Sequence, residues 1–120
     1  MGLLTRPGLL LRIEGAALFG LSVWLFSRLD VTWILFAVLI LAPDLTFAAY
    51  LRGPKFGAEV YNLVHLAAWP AALAAIGLVT GLALVLAIAL IWLAHIGMDR
   101  MMAFGFKYPT GFRDTHLSRV

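Results

Sequence analysis

Ionisable residues are sparse in this chain and separate long apolar runs. The uncharged stretches cover residues 15–27, 31–43, 45–51 and 66–94. As one helix, the last would reach roughly 43 Å at about 1.5 Å per residue, well beyond the ~30 Å hydrocarbon core of a bilayer. Gly77, Thr80 and Gly81 stand near its middle, and glycine is the usual residue where a helix stops and turns. The run therefore divides into a hairpin. Each half is too short to cross a bilayer alone. The two helices must extend through polar residues: back through Glu59, Asn62 and His65, and on through His95, Asp99 and Arg100. The runs beside Glu14 and Asp44 give only roughly 20 Å each, so those spans also contain their ionisable residue. The pattern predicts helices at about 9–27, 31–51, 58–77 and 81–104 within a single transmembrane domain over 1–120. Leu29-Asp30 makes a tight connection, Arg52-Gly53-Pro54-Lys55 a turn, and 105–120 an interfacial tail. A three-helix arrangement with one long tilted span is the alternative.

Composition agrees with this pattern. Hydrophobic residues make up 63% of the 120 positions and charged residues 12%, against roughly 25% charged in a soluble domain. Mean hydropathy is +0.99. This excludes a soluble globule, a disordered tail and a nucleic-acid-binding domain. The expected fold class is all-α: an integral membrane antiparallel four-helix bundle whose surroundings are the lipid bilayer.

The net charge of +3 then describes topology rather than a partner. Four antiparallel spans place both termini and the 52–57 turn on one side, with Arg6, Arg12, Arg52, Lys55, Arg100, Lys107, Arg113 and Arg119. Only Arg28 and Asp30 fall on the other. By the positive-inside rule both termini are cytoplasmic, as in a multi-pass protein of the bacterial cytoplasmic membrane. Trp24 and Trp33 suit an aromatic belt on the far side, and Tyr50, Tyr61 and Tyr108 one on the cytoplasmic side. The absence of cysteine excludes disulfides and thiolate chemistry.

The same topology brings polar side chains from all four spans to one level. A charged residue at a helix centre costs ~2.5–3.5 kcal/mol on insertion scales, so Glu14, Asp44, Asp99 and Arg100 must pair, lie near the interface or surround a cation or water. His65 and His95 are too short to reach the headgroups as lysine does. His95 and Asp99 stand at i and i+4 and share a helix face; Asn62 and His65, at i and i+3, share another. Pro43 removes an amide just before Asp44 and frees the carbonyl of Leu39. Asp44, His65, His95 and Asp99 pointing into the bundle supply two imidazoles and two carboxylates, a ligand set for a divalent metal such as Zn, Mn or Fe. Glu14 would then orient a ligand or serve as the catalytic general base for a metal-bound water.

Two other readings stand beside this one. Arg12 and Arg100 with the carboxylates could close a purely structural network that sets helix register. An ion or proton path is the third, and the nearly bare far side argues against it. Asp114 and His116 either lie in a solvated tail or fold over the cavity mouth.

Arg12-Ile13-Glu14-Gly15, Ala42-Pro43-Asp44, Tyr61-Asn62-Leu63-Val64-His65, Ala94-His95-Ile96-Gly97-Met98-Asp99-Arg100, Lys107-Tyr108-Pro109 and Thr115-His116-Leu117 together carry a resemblance. The chain resembles a domain-of-unknown-function family of small bacterial membrane proteins with four helices, which implies the topology and no activity. The pair His95-x-x-x-Asp99 is similar to the helical His/Asp signatures of membrane-bound metal-dependent hydrolases. On the residues, the leading expectation is a four-helix membrane bundle with a polar His/Asp/Glu site near its cytoplasmic side that could hold a metal; if that site is catalytic, its chemistry is metal-assisted hydrolysis of a lipid-like substrate entering from the inner leaflet. Its rival is a non-enzymatic accessory or scaffold subunit of a larger membrane complex, or a homo-oligomer.

Overall fold

The computed structural model describes residues 7–102, apart from the side chains of Pro7 and Phe47. The expected tail over 105–120, with Tyr108, Asp114 and His116, lies outside the described residues. The described chain is helical throughout: α1 Pro7–Ser27, α2 Trp33–Leu39, a 3-10 helix Ala42–Arg52, α3 Pro54–Val64, α4 Ala68–Thr80 and α5 Ala83–Met101. These make four segments long and apolar enough to cross a membrane: Gly8–Ser27, Trp33–Arg52, Pro54–Thr80 and Ala83–Met101. The long apolar run does turn back on itself, so the three-span alternative falls away. The turn is made at Gly81, whose left-handed φ of 72° caps α4. Gly77 lies instead within α4, where a Cβ would come within 2.7 Å of the Leu86 amide nitrogen.

Two of the four spans, expected as single elements at 31–51 and 58–77, are each built of two helical pieces. In the second span Pro43 has no amide to give, and the chain changes from α to 3-10 bonding. The Asp44 amide accordingly donates to Leu41 O at 3.0 Å instead of reaching back to Ile40. The 3-10 helix runs for 11 residues, far beyond the usual three or four. Its rise of about 2.0 Å per residue, against about 1.5 Å in an α-helix, makes this 20-residue span longer than the ~30 Å that a bilayer requires.

In the third span α3 ends at Val64 and α4 begins at Ala68. Pro70 explains the restart. A proline is tolerated in the first turn of a helix and not in its interior, so a helix containing Pro70 must begin only just before it. The first helix of this span also starts at Pro54 rather than near 58, because the positive φ of 111° that glycine allows at Gly53 completes the turn in one residue.

α5 is the central element: half of its span is buried, against 6–17% of the other three. α1 crosses it closely, with Gly15 and Gly97 facing each other; a Cβ on Gly97 would stand 2.6 Å from the Phe19 nitrogen and 2.7 Å from Gly15 O. At one end of the bundle Phe26 is fully buried with Ala87, Leu90 and Ile91. Trp33 packs on its ring edge-on at 4.8 Å. Large apolar side chains such as Leu45, Leu51 and Val79 face outward, as lipid contact demands.

Candidate metal centre

The breaks in the second and third spans lie beside the polar cluster and hold it in place. His65 is the residue that ends α3, and its non-helical φ and ψ (−91°, 10°) turn its ring into the bundle. Its Nδ1 lies 2.8 Å from Tyr61 O, and the Tyr61 ring stacks on the imidazole at 3.7 Å between centroids. His95 is fully buried on α5, with Nδ1 2.5 Å from Ile40 O. That carbonyl is free because the switch to 3-10 bonding took the Asp44 amide away from it. The freed acceptor is thus one residue beyond the Leu39 carbonyl that the proline alone implies.

A carbonyl oxygen only accepts, so each Nδ1 carries a proton and donates it. Both Nε2 atoms then point at the same small volume. They stand 3.1 Å from each other. Asp44 Oδ1 lies 3.0 Å from His95 Nε2 and 3.6 Å from His65 Nε2. Asp99 Oδ2 lies 3.2 Å from His95 Nε2 and 3.3 Å from His65 Nε2. One ligand atom from each of the four residues falls within 4.8 Å of the others. The Tyr61 hydroxyl donates to Asp99 Oδ2 at 3.2 Å, behind the cluster. His65, His95 and Asp99 are nearly closed off, with side-chain exposures of 5%, 0% and 10%, whereas Asp44 is 28% exposed.

Ion pairing alone accommodates this arrangement only with one imidazolium and one neutral ring, which leaves a single Nε2 proton among the four ligand atoms; the two symmetric protonation states fail. If both rings were imidazolium, two N–H donors would face each other at 3.1 Å. If both were neutral, four lone-pair acceptors would converge with no hydrogen between them. A divalent cation at the centre resolves both conflicts. Zn²⁺ bonded at about 2.0–2.2 Å to tetrahedral nitrogen and oxygen ligands would give six ligand–ligand edges of about 3.3–3.6 Å; five separations here are 3.0–3.6 Å, and all four atoms lie within 4.8 Å of one another. The outer contacts are those a metal-bound imidazole and carboxylate ordinarily have: Nδ1–H on a carbonyl, and a hydroxyl on the carboxylate.

The other residues singled out from the sequence are placed elsewhere. Glu14 is exposed on α1, outside the set of four. Gly15 takes the position against α5, and the next residue back along a helix is turned aside by about 100°. Arg12 is exposed and donates from Nε to Met101 O at 3.2 Å. Asn62 and Arg100 are half-buried and contribute no ligand atom to the set. His116 is outside the described residues. Tyr61 is the site residue that the sequence reading missed. It is buried at 2% exposure rather than standing in an interfacial belt, and its spacing of four from His65 is the signal that pairs them. Trp92 supports the third-span break, donating from Nε1 to the Val64 carbonyl at 2.8 Å.

The curated proteins and the solved structures contain no match to this chain. A family model does match it, over residues 8–120, which takes in all four spans and every residue of the cluster. The chain belongs to the family described as domain of unknown function (DUF4260).

Proposed function

We propose that this protein is a metalloprotein of the bacterial cytoplasmic membrane that holds one divalent metal, Zn²⁺ foremost, on Asp44, His65, His95 and Asp99. The observation that carries this is the convergence of two Nε2 atoms and two carboxylate oxygens, five of whose six separations are 3.0–3.6 Å, with both Nδ1 atoms facing carbonyls. Zn²⁺ is favoured over Mn²⁺ and Fe²⁺ because four nitrogen and oxygen donors complete its shell. The reaction class we assign is hydrolysis of a lipid-like substrate. A bound metal of this kind supplies Lewis-acid polarisation of a carbonyl or phosphoryl oxygen. The chain itself holds the two imidazoles in one tautomer, limits water at three of the four ligands and leaves one face open at Asp44.

The orientation belongs to the same proposal. Asp44, His65, His95 and Asp99 all lie in the half of their spans nearer the Gly53 turn. The charge asymmetry assigns that side to the cytoplasm. A second reading is favoured by one feature, the complete set of four protein ligands, which is the signature of a structural site. In that reading the metal staples the two broken spans to α5, and the chain acts as a scaffold.

Elemental analysis of the purified protein tests the proposal. One equivalent of metal in the parent and none in the His65→Ala, His95→Ala double variant is expected. No metal in the parent, or the same content in both, would remove it. Hydrolysis of an acyl ester by the metal-loaded parent and not by the double variant separates the enzyme from the scaffold.

A further inference from the structure

We propose that Asp44 is an exchangeable ligand, and that its place on the metal is taken by the carboxylate of a single-chain fatty acid whose tail lies in the apolar groove beside it. This rests on the metal reading above. Three of the four ligands are backed by a second contact: His65 by Tyr61 O, His95 by Ile40 O, and Asp99 by the Tyr61 hydroxyl. Among the described residues, Asp44 meets the two Nε2 atoms and has no such second contact. The nearest hydroxyl on its own helix, that of Thr46, donates to Pro43 O at 2.8 Å instead. Asp44 is also the most exposed of the four and sits on a 3-10 helix, whose hydrogen-bond geometry is poorer than that of an α-helix. Ligands without such backing are the ones a metal releases, and catalytic zinc sites keep three protein ligands and one open position.

A groove of about 250 Å³ is walled by chain neighbours of the ligands rather than by the ligands themselves. Its walls include Leu39, Pro43, Val64, Ile88 and Trp92, and three of these are tied to the site in the chain: Pro43 precedes Asp44, Val64 precedes His65, and Trp92 lies one turn before His95. The polar atoms that Trp92 and Val64 bring are closed on each other, so they offer nothing to a polar guest. The volume falls below the ~300–1,000 Å³ of pockets for drug-sized ligands, and fits one hydrocarbon chain rather than two. All its walls belong to the spans 33–52, 54–80 and 83–101, so hydrocarbon is the medium around it. A carboxylate replacing a carboxylate leaves the donor atom and the charge of the centre unchanged.

The test uses the full chain in detergent, loaded with Co²⁺, whose visible absorption reports its ligands. Decanoate should shift the spectrum at least about tenfold more tightly than acetate, because burying methylenes is favourable. Ile88→Trp, at a partly exposed groove position, should keep the parent Co²⁺ spectrum and reduce the decanoate response to that of acetate. Asp44→Ala should retain Co²⁺ and bind both carboxylates more tightly. Equal responses to acetate and decanoate, an unchanged decanoate response in Ile88→Trp, or loss of Co²⁺ in Asp44→Ala would each overturn the proposal. A parent that takes up no Co²⁺ defeats the metal reading itself, a result distinct from a loaded parent that ignores carboxylates.

Discussion

At the scale of single residues, the site is defined less by its four ligands than by the contacts behind them. Tyr61 serves two ligands at once, its backbone carbonyl facing His65 Nδ1 and its hydroxyl donating to Asp99. Loss of such an outer contact commonly costs 10–100-fold in metal affinity. Tyr61→Phe keeps the ring stacked on His65 and removes only the hydroxyl, so affinity should fall by about tenfold, the low end of that range. Competition with a chelating dye reads this, and an unchanged affinity would show that the hydroxyl has no part in holding the ligand. The i, i+4 relation of His95 and Asp99 was legible in the sequence, because a regular helix fixes which residues share a face. The outward position of Glu14 was not legible, and α1 shows why. Its apolar residues run all round the helix, so its sequence marks no inward face, and only the close contact of Gly15 with α5 turns Glu14 outward.

At the scale of elements, interruptions in the helices supply what straight helices cannot. A continuous second span would use the Ile40 carbonyl for its own ladder and leave His95 Nδ1 without an acceptor. Pro43→Ala restores the missing amide and allows α-helical bonding through this region. Metal affinity should then fall by about 10–100-fold while the protein still folds, as metal titration of the variant will show. The break at Pro43 was readable from one proline; the carbonyl it frees was displaced by one residue because the 3-10 pattern continues past it. The break after Val64 was obscured because the apolar run that begins at Leu66 continues through it without interruption, and Pro70 was its only local mark. Close packing of α1 on α5 carries a separate expectation. Gly97→Ala forces a Cβ into the α1 backbone and should cost about 1–3 kcal/mol, whereas Gly20→Ala meets open space and should be neutral or slightly stabilising. Thermal unfolding of both variants in the same detergent measures the contrast, and equal midpoints would contradict the observed crossing.

At the scale of the whole molecule, four spans were legible from the spacing of charges and glycines, and their assembly around α5 was not. Mutual packing of helices in lipid is set by small residues and backbone contacts, which leave little trace in hydrophobic periodicity. The proposed orientation has a direct expectation, made simple by the lack of native cysteine. In intact cells an impermeant maleimide should label Asp30→Cys and leave Arg52→Cys unlabelled until the membrane is opened; the reverse pattern would invert the topology. The central claim is that separate, interrupted spans meet on a metal ion. X-ray absorption at the metal edge of the purified, metal-loaded protein tests it most directly. The account predicts about four nitrogen and oxygen neighbours at about 2.0–2.2 Å with imidazole scattering beyond them. A shell of water alone, or a spectrum unchanged by removing His65 and His95, would contradict it.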